Sequence, residues 1–336
     1  MRKLKILYAI QGTGNGHVSR ARDFIPYLQQ HFDLDILISG TQVDVALPHE
    51  ITYRKRGASF IFGKNGGVDY WKSIKGLSPF TFLKDLLSLP ISKYDLVIND
   101  FEPISAWAAK RKKIPVIALS HQCSFLSMHT PRPAETDAFT EFLFRKYAPS
   151  DYQIGFHFQP YDTFIQTPII RKEIRQLHSS NDGHYTVYLP AYQHEFLVNY
   201  LSQWPHIKWH VFAKNLKQAY QIENIKVCPV QNENFNNSLA CCAGLLTGGG
   251  FEAPAEALFL GKKVFSVPMK GQYEQICNAE ALHKMGIPVV AALDEDAQHT
   301  LDKWLSTPAT AAILFPDNLD QVFNDLQKLI AKATHI

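Results

Sequence analysis

The chain has 336 residues, of which 46% are hydrophobic and 19% charged, and a formal net charge of +3 at pH 7. That length suits two domains of about 100–200 residues better than a single core. The small basic excess does not point to a nucleic-acid partner, and no apolar run reaches the ~18 residues that a membrane-spanning helix needs.

The first strand is predicted at 4–10. Arg2, Lys3 and Lys5 flank the start of Ile6-Leu7-Tyr8-Ala9-Ile10, but this run is too short for a signal peptide and ends in glycines without a small-residue cleavage site. The loop Gln11-Gly12-Thr13-Gly14-Asn15-Gly16-His17 follows, then a helical pattern over 18–30. It is not the dinucleotide fingerprint, because His17 stands where the third glycine would fall, and it has no Lys-Ser/Thr pair for a P-loop. Further apolar runs at 34–39, 96–99, 116–119 and 153–158 alternate with helical patterns, which predicts a parallel sheet with helices on both faces. The alternation resumes at 185–189 and continues through 209–213, 225–230, 243–246, 263–267 and 288–292, predicting a second doubly wound α/β domain.

Between the two, Pro160, Pro168 and the turn-forming Ser179-Ser180-Asn181-Asp182-Gly183 place the link near 167–177. The expected units are a first Rossmann-like domain over 1–165, a second over 166–316, and a closing segment, 317–336. In the latter, Leu319, Val322, Phe323, Leu326, Leu329 and Ile330 recur at helical spacing, so an amphipathic helix is expected to pack on the rest. Cys123, Cys228, Cys241, Cys242 and Cys277 form an odd set without a CxxC pair, which fits a reducing, cytoplasmic compartment.

The densest signal is 247–279. The strand at 243–246 runs into Gly248, Gly249 and Gly250, then into a helix-forming stretch from Phe251 and Glu252 through Glu256. Glycines permit close approach of a ligand, and the N–H groups and dipole of the helix start favour a phosphate there. A second strand leads into Gly271-Gln272-Tyr273-Glu274-Gln275, placing Glu274 and Gln275 where sugar hydroxyls would be read. The ordered string Gly250-Phe251, Glu256, Gly261, Pro268, Glu274-Gln275 and Asn278-Ala279 resembles the donor signature of the two-domain GT-B glycosyltransferases, MurG-like and UDP-glycosyltransferase-like. The resemblance implies a GT-B fold, a UDP-sugar as donor substrate rather than any cofactor, a ribose contact at Glu256, and donor-sugar contacts at Glu274 and Gln275. Gly248, Glu252 and Ala253 stand where UDP-glycosyltransferases have phosphate-facing His, Asn and Ser, which shifts the phosphates toward backbone N–H groups. Glu252 would repel a diphosphate if it pointed inward.

The first loop resembles the GGTGGH segment of MurG-like enzymes, on the acceptor side of the cleft, with His17 at its closing histidine. An acceptor hydroxyl must lose its proton as it attacks the anomeric carbon, and imidazole titrates near neutrality, so His17 is the general-base candidate. Asp100 and Glu102, at the end of the 96–99 strand, are candidates to orient it or to serve as base. The resemblance to UDP-glycosyltransferases favours Asp100. Structural alternatives stay open: His17 as a backbone partner in the loop, and Asp100 as a helix N-cap. His121 and His129 beside Cys123, and Asp33-Leu34-Asp35, lack the context of metal ligands, and no metal is expected. Tyr192 and Gln193 stand near a MurG-like loop position, with loop structure as their simplest role.

Between Arg54 and Lys93 lie eight Lys or Arg residues against Asp69 and Asp85, interleaved with aromatics. That mixture suits a lipid-linked acceptor or peripheral contact with the inner face of a membrane, and equally a solvated loop with buried rings. The expected reaction is a metal-independent, inverting glycosyl transfer. The alternatives are a nucleotide-sugar 2-epimerase and a non-catalytic nucleotide-sugar-binding protein.

Overall fold

A computed structural model describes residues 3–12, 15–40, 47–55, 79–214, 216–308 and 311–335. It contains two α/β domains, each built on its own sheet. The first sheet comprises β1 (Lys5–Gln11), β2 (Asp33–Ser39), β3 (Tyr53–Lys55), β4 (Leu96–Asp100), β5 (Val116–Ser120), β6 (Tyr152–Phe156) and β7 (Ile165–Gln166). Their spatial order is β3-β2-β1-β4-β5-β6-β7, all pairs parallel. The unbroken apolar run of β1 follows from burial on both faces. Ile6, Tyr8 and Ile10 join Val18, Phe24 and Ile25 of the helix Asn15–His31 in one cluster. Leu7 and Ala9 join Ile104 and Ala108 of the helix Pro103–Lys112 in another.

The second sheet comprises β8 (His184–Tyr188), β9 (Lys208–Ala213), β10 (Tyr220–Ile222), β11 (Ile225–Pro229), β12 (Gly244–Thr247) and β13 (Lys263–Ser266), in the order β10-β11-β9-β8-β12-β13. All its pairs are parallel except the edge hairpin β10–β11. The strand expected at 288–292 does not form. Val289 makes a single bridge to Ser266, beside Pro288, which has no N–H to extend a ladder.

In both sheets the strand order reverses in the interior, between β1 and β4 and between β8 and β12. Ligands of such sheets sit outside the carboxyl ends at those points. Ile10 is in register with Asp100, so the loop after β1 and the end of β4 lie side by side. The corresponding place in the second domain is the glycine turn after β12. The helix Leu319–Thr334 lies against the first domain: Phe323 stacks on Tyr27 with ring centroids 3.5 Å apart, and Gln327 donates to the Tyr27 hydroxyl at 2.7 Å. No helix among the described residues is long and apolar enough to cross a membrane.

Candidate functional site

His17 lies in the first turns of its helix, and its Nδ1 is 2.8 Å from Asp100 Oδ1. Asp100 is fully buried, and Arg20, one turn beyond His17, directs Nη2 to both of its oxygens at 2.8 Å. Burial alone would raise the Asp100 carboxyl, but Arg20 and His17 outweigh it and hold the group below its usual range. An ionised Asp100 only accepts, so His17 Nδ1 carries a proton and, in the neutral ring, Nε2 is the nitrogen with the lone pair. That lone pair faces Gln122 Nε2 at 3.4 Å. Gln122, in the short 3-10 helix Gln122–Leu126 after β5, also donates to Glu274 Oε1 at 3.1 Å, and its own Oε1 is buried without a partner among the described residues.

Glu102 does not join this cluster. Fully buried, it caps the helix Pro103–Lys112, accepting from the N–H groups of Ile104 at 2.9 Å and Ser105 at 2.7 Å. It therefore takes the capping role that the sequence allowed for Asp100, and its carboxylate is spent on backbone donors. Burial lifts this carboxyl above the usual range despite those bonds. Gly14 lies outside the described residues. Gly16 packs against the second domain: a Cβ there would stand 3.1 Å from Glu252 Cγ.

Across the cleft, the three glycines have different reasons. A Cβ on Gly249 would meet the Gln275 carbonyl oxygen at 2.3 Å, so this glycine is required by helix packing, whereas Gly250 has nothing within 4 Å. Gln275 ties the turn down, its Oε1 accepting from Gly249 N at 3.2 Å and Met269 N at 3.0 Å. A Cβ on Gly248 would stand 3.2 Å from the same oxygen. Gln272 is the N-cap of the helix Tyr273–Lys284 and accepts from Gln275 N at 2.6 Å. Phe251 and Glu256 have partners of their own as well. Phe251 stacks on His121, with centroids 4.0 Å apart, and is buried at the domain interface. Glu256 is held by Arg171 through Nε–Oε1 at 2.5 Å and Nη2–Oε2 at 2.8 Å.

Glu252 opens the helix Glu252–Phe259, and its Oε1 accepts from Arg20 Nη1 at 2.6 Å. Burial pushes its carboxyl up to about 7; Arg20 and His17 oppose the shift, while Glu256 and Asp100 add to it. Burial likewise raises Glu274, against His17, Gln122 and Arg20. Asn278 joins the domains, donating to Gly249 O at 3.0 Å and lying 2.9 Å from His121 Nε2. Burial pushes the His121 imidazole down to about 3, against its contacts with the Phe156 carbonyl and Asn278.

A cavity of about 260 Å³ lies beside Phe101, the residue after Asp100, under Phe144, Lys110, Arg145 and Lys146. Phe101 itself has φ 56, a strained backbone for an aromatic residue. Of the 54–93 stretch, residues 56–78 lie outside the described residues. In the remainder Lys55 pairs with Asp85 and Lys93 with Asp35, while Phe80 is 85% exposed. Lys5 pairs with Asp33, so both acids of Asp33-Leu34-Asp35 are held by lysines. Tyr192 accepts from Leu293 N, a loop contact. Among the described residues no group of three or more His, Cys, Asp or Glu is arranged to hold a metal.

The sequence of residues 4–307 matches the model of glycosyl transferase family 1. The chain belongs to this family. No curated protein shows a significant match. Several solved structures share its fold. The spinosyn forosaminyltransferase SpnP has a TM-score of 0.64 at 14% identity, covering 98% of this chain and 100% of that one. MurG of Acinetobacter baumannii has 0.58 at 15%, covering 97% and 99%. The UDP-N-acetylglucosamine 2-epimerase of Rickettsia bellii has 0.62 at 12%, covering 98% of each. The fold is GT-B, and the activity is glycosyl transfer.

In this glycosyltransferase, three residues at the cleft escaped the sequence reading. Arg20 was legible in principle, since three residues after His17 is the same face of a helix. Gln122 follows the carboxyl end of β5, where ligands of such sheets gather. Arg171 sits in the interdomain link, and nothing in the sequence paired it with Glu256.

Proposed function

We propose that the protein transfers a sugar from a nucleotide-diphosphate donor, a UDP-sugar, to an acceptor hydroxyl, inverting the anomeric centre and using no metal ion. The observation that carries this reading is the His17–Asp100–Arg20 chain of contacts, which reaches Glu252 at the helix start just after Gly248–Gly250. Asp100 fixes the tautomer, so His17 Nε2 takes the proton of the acceptor hydroxyl as its oxygen bonds to the anomeric carbon. The bond from that carbon to the diphosphate oxygen breaks, and the diphosphate leaves with the electron pair. Backbone N–H groups at the start of the helix Glu252–Phe259 stabilise the charge that develops there. Glu274 and Gln122 take sugar hydroxyls, which gives the unpartnered Gln122 Oε1 a donor. A lipid-linked acceptor at the membrane face is one acceptor class.

The test is turnover of a panel of nucleotide-sugars with and without added acceptors. Release of nucleoside diphosphate that depends on an acceptor supports transfer. Conversion of the sugar with no acceptor would replace it with the 2-epimerase reading, and binding without either reaction would leave a non-catalytic binding protein.

A further inference from the structure

Arg20 is only 4% exposed and carries more than one duty. Nη2 holds Asp100, Nη1 bonds Glu252 across the cleft, and Nε is buried with no partner among the described residues. Glu252 belongs to the second domain and is the first residue of the helix that follows the glycine turn, where exposed N–H groups and the helix dipole favour an anion. Its carboxylate does not stay at its own helix. It reaches into the first domain, with Oε1 3.5 Å from the position of a Cβ on Gly16 and 2.6 Å from Arg20 Nη1. A carboxylate from the helix start that follows the glycine turn therefore sits on this first-domain cation.

The charge balance makes this arrangement unstable toward a donor. One guanidinium serves both the ionised Asp100 and the Glu252 carboxyl, so Asp100 alone already offsets its charge. A diphosphate brings at least two more negative charges, and like charges a few ångströms apart in a partly buried cleft repel strongly. Asp100 is fully buried and locked to His17, so it cannot move aside. Glu252, with its side chain 28% exposed at a helix start, can.

We propose that Arg20 is the cation that binds the donor's diphosphate, and that Glu252 occupies Arg20 Nη1 only until a nucleoside diphosphate or its sugar ester enters. The inference rests on the nucleotide-diphosphate reading above. On entry the phosphate oxygens replace the Glu252 carboxylate on Nη1 and take over the bridge between the domains. The guanidinium that then holds the donor is the one that holds Asp100, so the base on one side and the leaving group on the other are positioned from a single side chain. This also gives Glu252, a residue that should repel a diphosphate, a reason to stand at the mouth of its pocket.

Calorimetric titration with UDP, dTDP and GDP, and with the corresponding nucleosides, tests the inference on the wild type, Glu252→Gln, Arg20→Gln and the double variant. Expected is at least about tenfold tighter diphosphate binding by Glu252→Gln with nucleoside binding unchanged, about tenfold weaker diphosphate binding by Arg20→Gln, and no gain from Glu252→Gln once Arg20 is gone. Glu252→Gln that binds diphosphates no tighter than wild type overturns the inference, as does an equal gain with and without Arg20. Should Arg20→Gln fail to fold, the contrast between diphosphate and nucleoside in Glu252→Gln decides alone. A wild type that binds none of the panel sinks the donor reading itself, and the inference with it.

Discussion

Asp100→Asn removes a charge while keeping the shape, and the geometry says what it does. Asp100 accepts from His17 Nδ1 and twice from Arg20 Nη2, each at 2.8 Å. Asparagine has one oxygen for these donors. Arg20 is always charged and claims it, which turns the amide N–H groups toward His17 Nδ1. Nδ1 must then accept, the ring proton moves to Nε2, and the atom that should take the acceptor's proton is blocked. Loss of the base is worth about 10²–10⁴ in kcat, or ~2.7–5.4 kcal/mol of barrier. Stability suffers less, because Glu252 still pairs with Arg20. The loss of one charge-assisted bond, about 2 kcal/mol, corresponds to a Tm fall of roughly 4–8 °C for a domain of 150–250 residues. Single-turnover kinetics and thermal melts separate the two effects: kcat should collapse while Tm falls only by that modest amount. A variant that retains kcat within about threefold would refute the orienting role of Asp100.

Packing and charge set three further outcomes. Gly249→Ala must place a Cβ 2.3 Å from the Gln275 carbonyl oxygen, so thermal melts should show a loss of about 2 kcal/mol or more; Gly250→Ala, with free space around it, should leave Tm unchanged. Phe323→Ala removes the ring that stacks on Tyr27 and meets Phe24 edge-on, and denaturant unfolding should report a cost of about 3–5 kcal/mol. The raised Glu252 carboxyl binds its proton more tightly folded than unfolded, so its contribution is present at low pH and is lost as pH rises through about 7. The Tm of Glu252→Gln should therefore rise relative to that of the wild type between pH 5 and 8, and a variant Tm that falls relative to the wild type over that range would contradict the burial argument.

The sequence carried the two-domain α/β architecture because strands buried on both faces leave unbroken apolar runs, as in Ile6 to Ile10. It failed at edges. β3, β7 and β10 are two or three residues long and expose too little pattern to register, while the apolar run at 288–292 is a chain passing the sheet at a single bridge. At the site, glycine loops and strand ends located His17, Asp100 and the Gly248–Gly250 turn, since backbone geometry is written locally. Which carboxylate is free is not. Asp100 and Glu102 are two residues apart and look alike in sequence, yet one is aimed at His17 and the other at two backbone N–H groups. Glu256 and Glu252 each meet an arginine distant in sequence, Arg171 and Arg20, and only the folded chain brings these together.

The central claim is that His17 is the base of a glycosyl transfer whose donor sits opposite it. The most direct measurement is the rate of acceptor-dependent nucleoside diphosphate release by His17→Ala, taken beside its nucleotide affinity. Turnover is predicted to fall by about 10²–10⁴ with affinity essentially unchanged. Wild-type turnover in His17→Ala would contradict the claim.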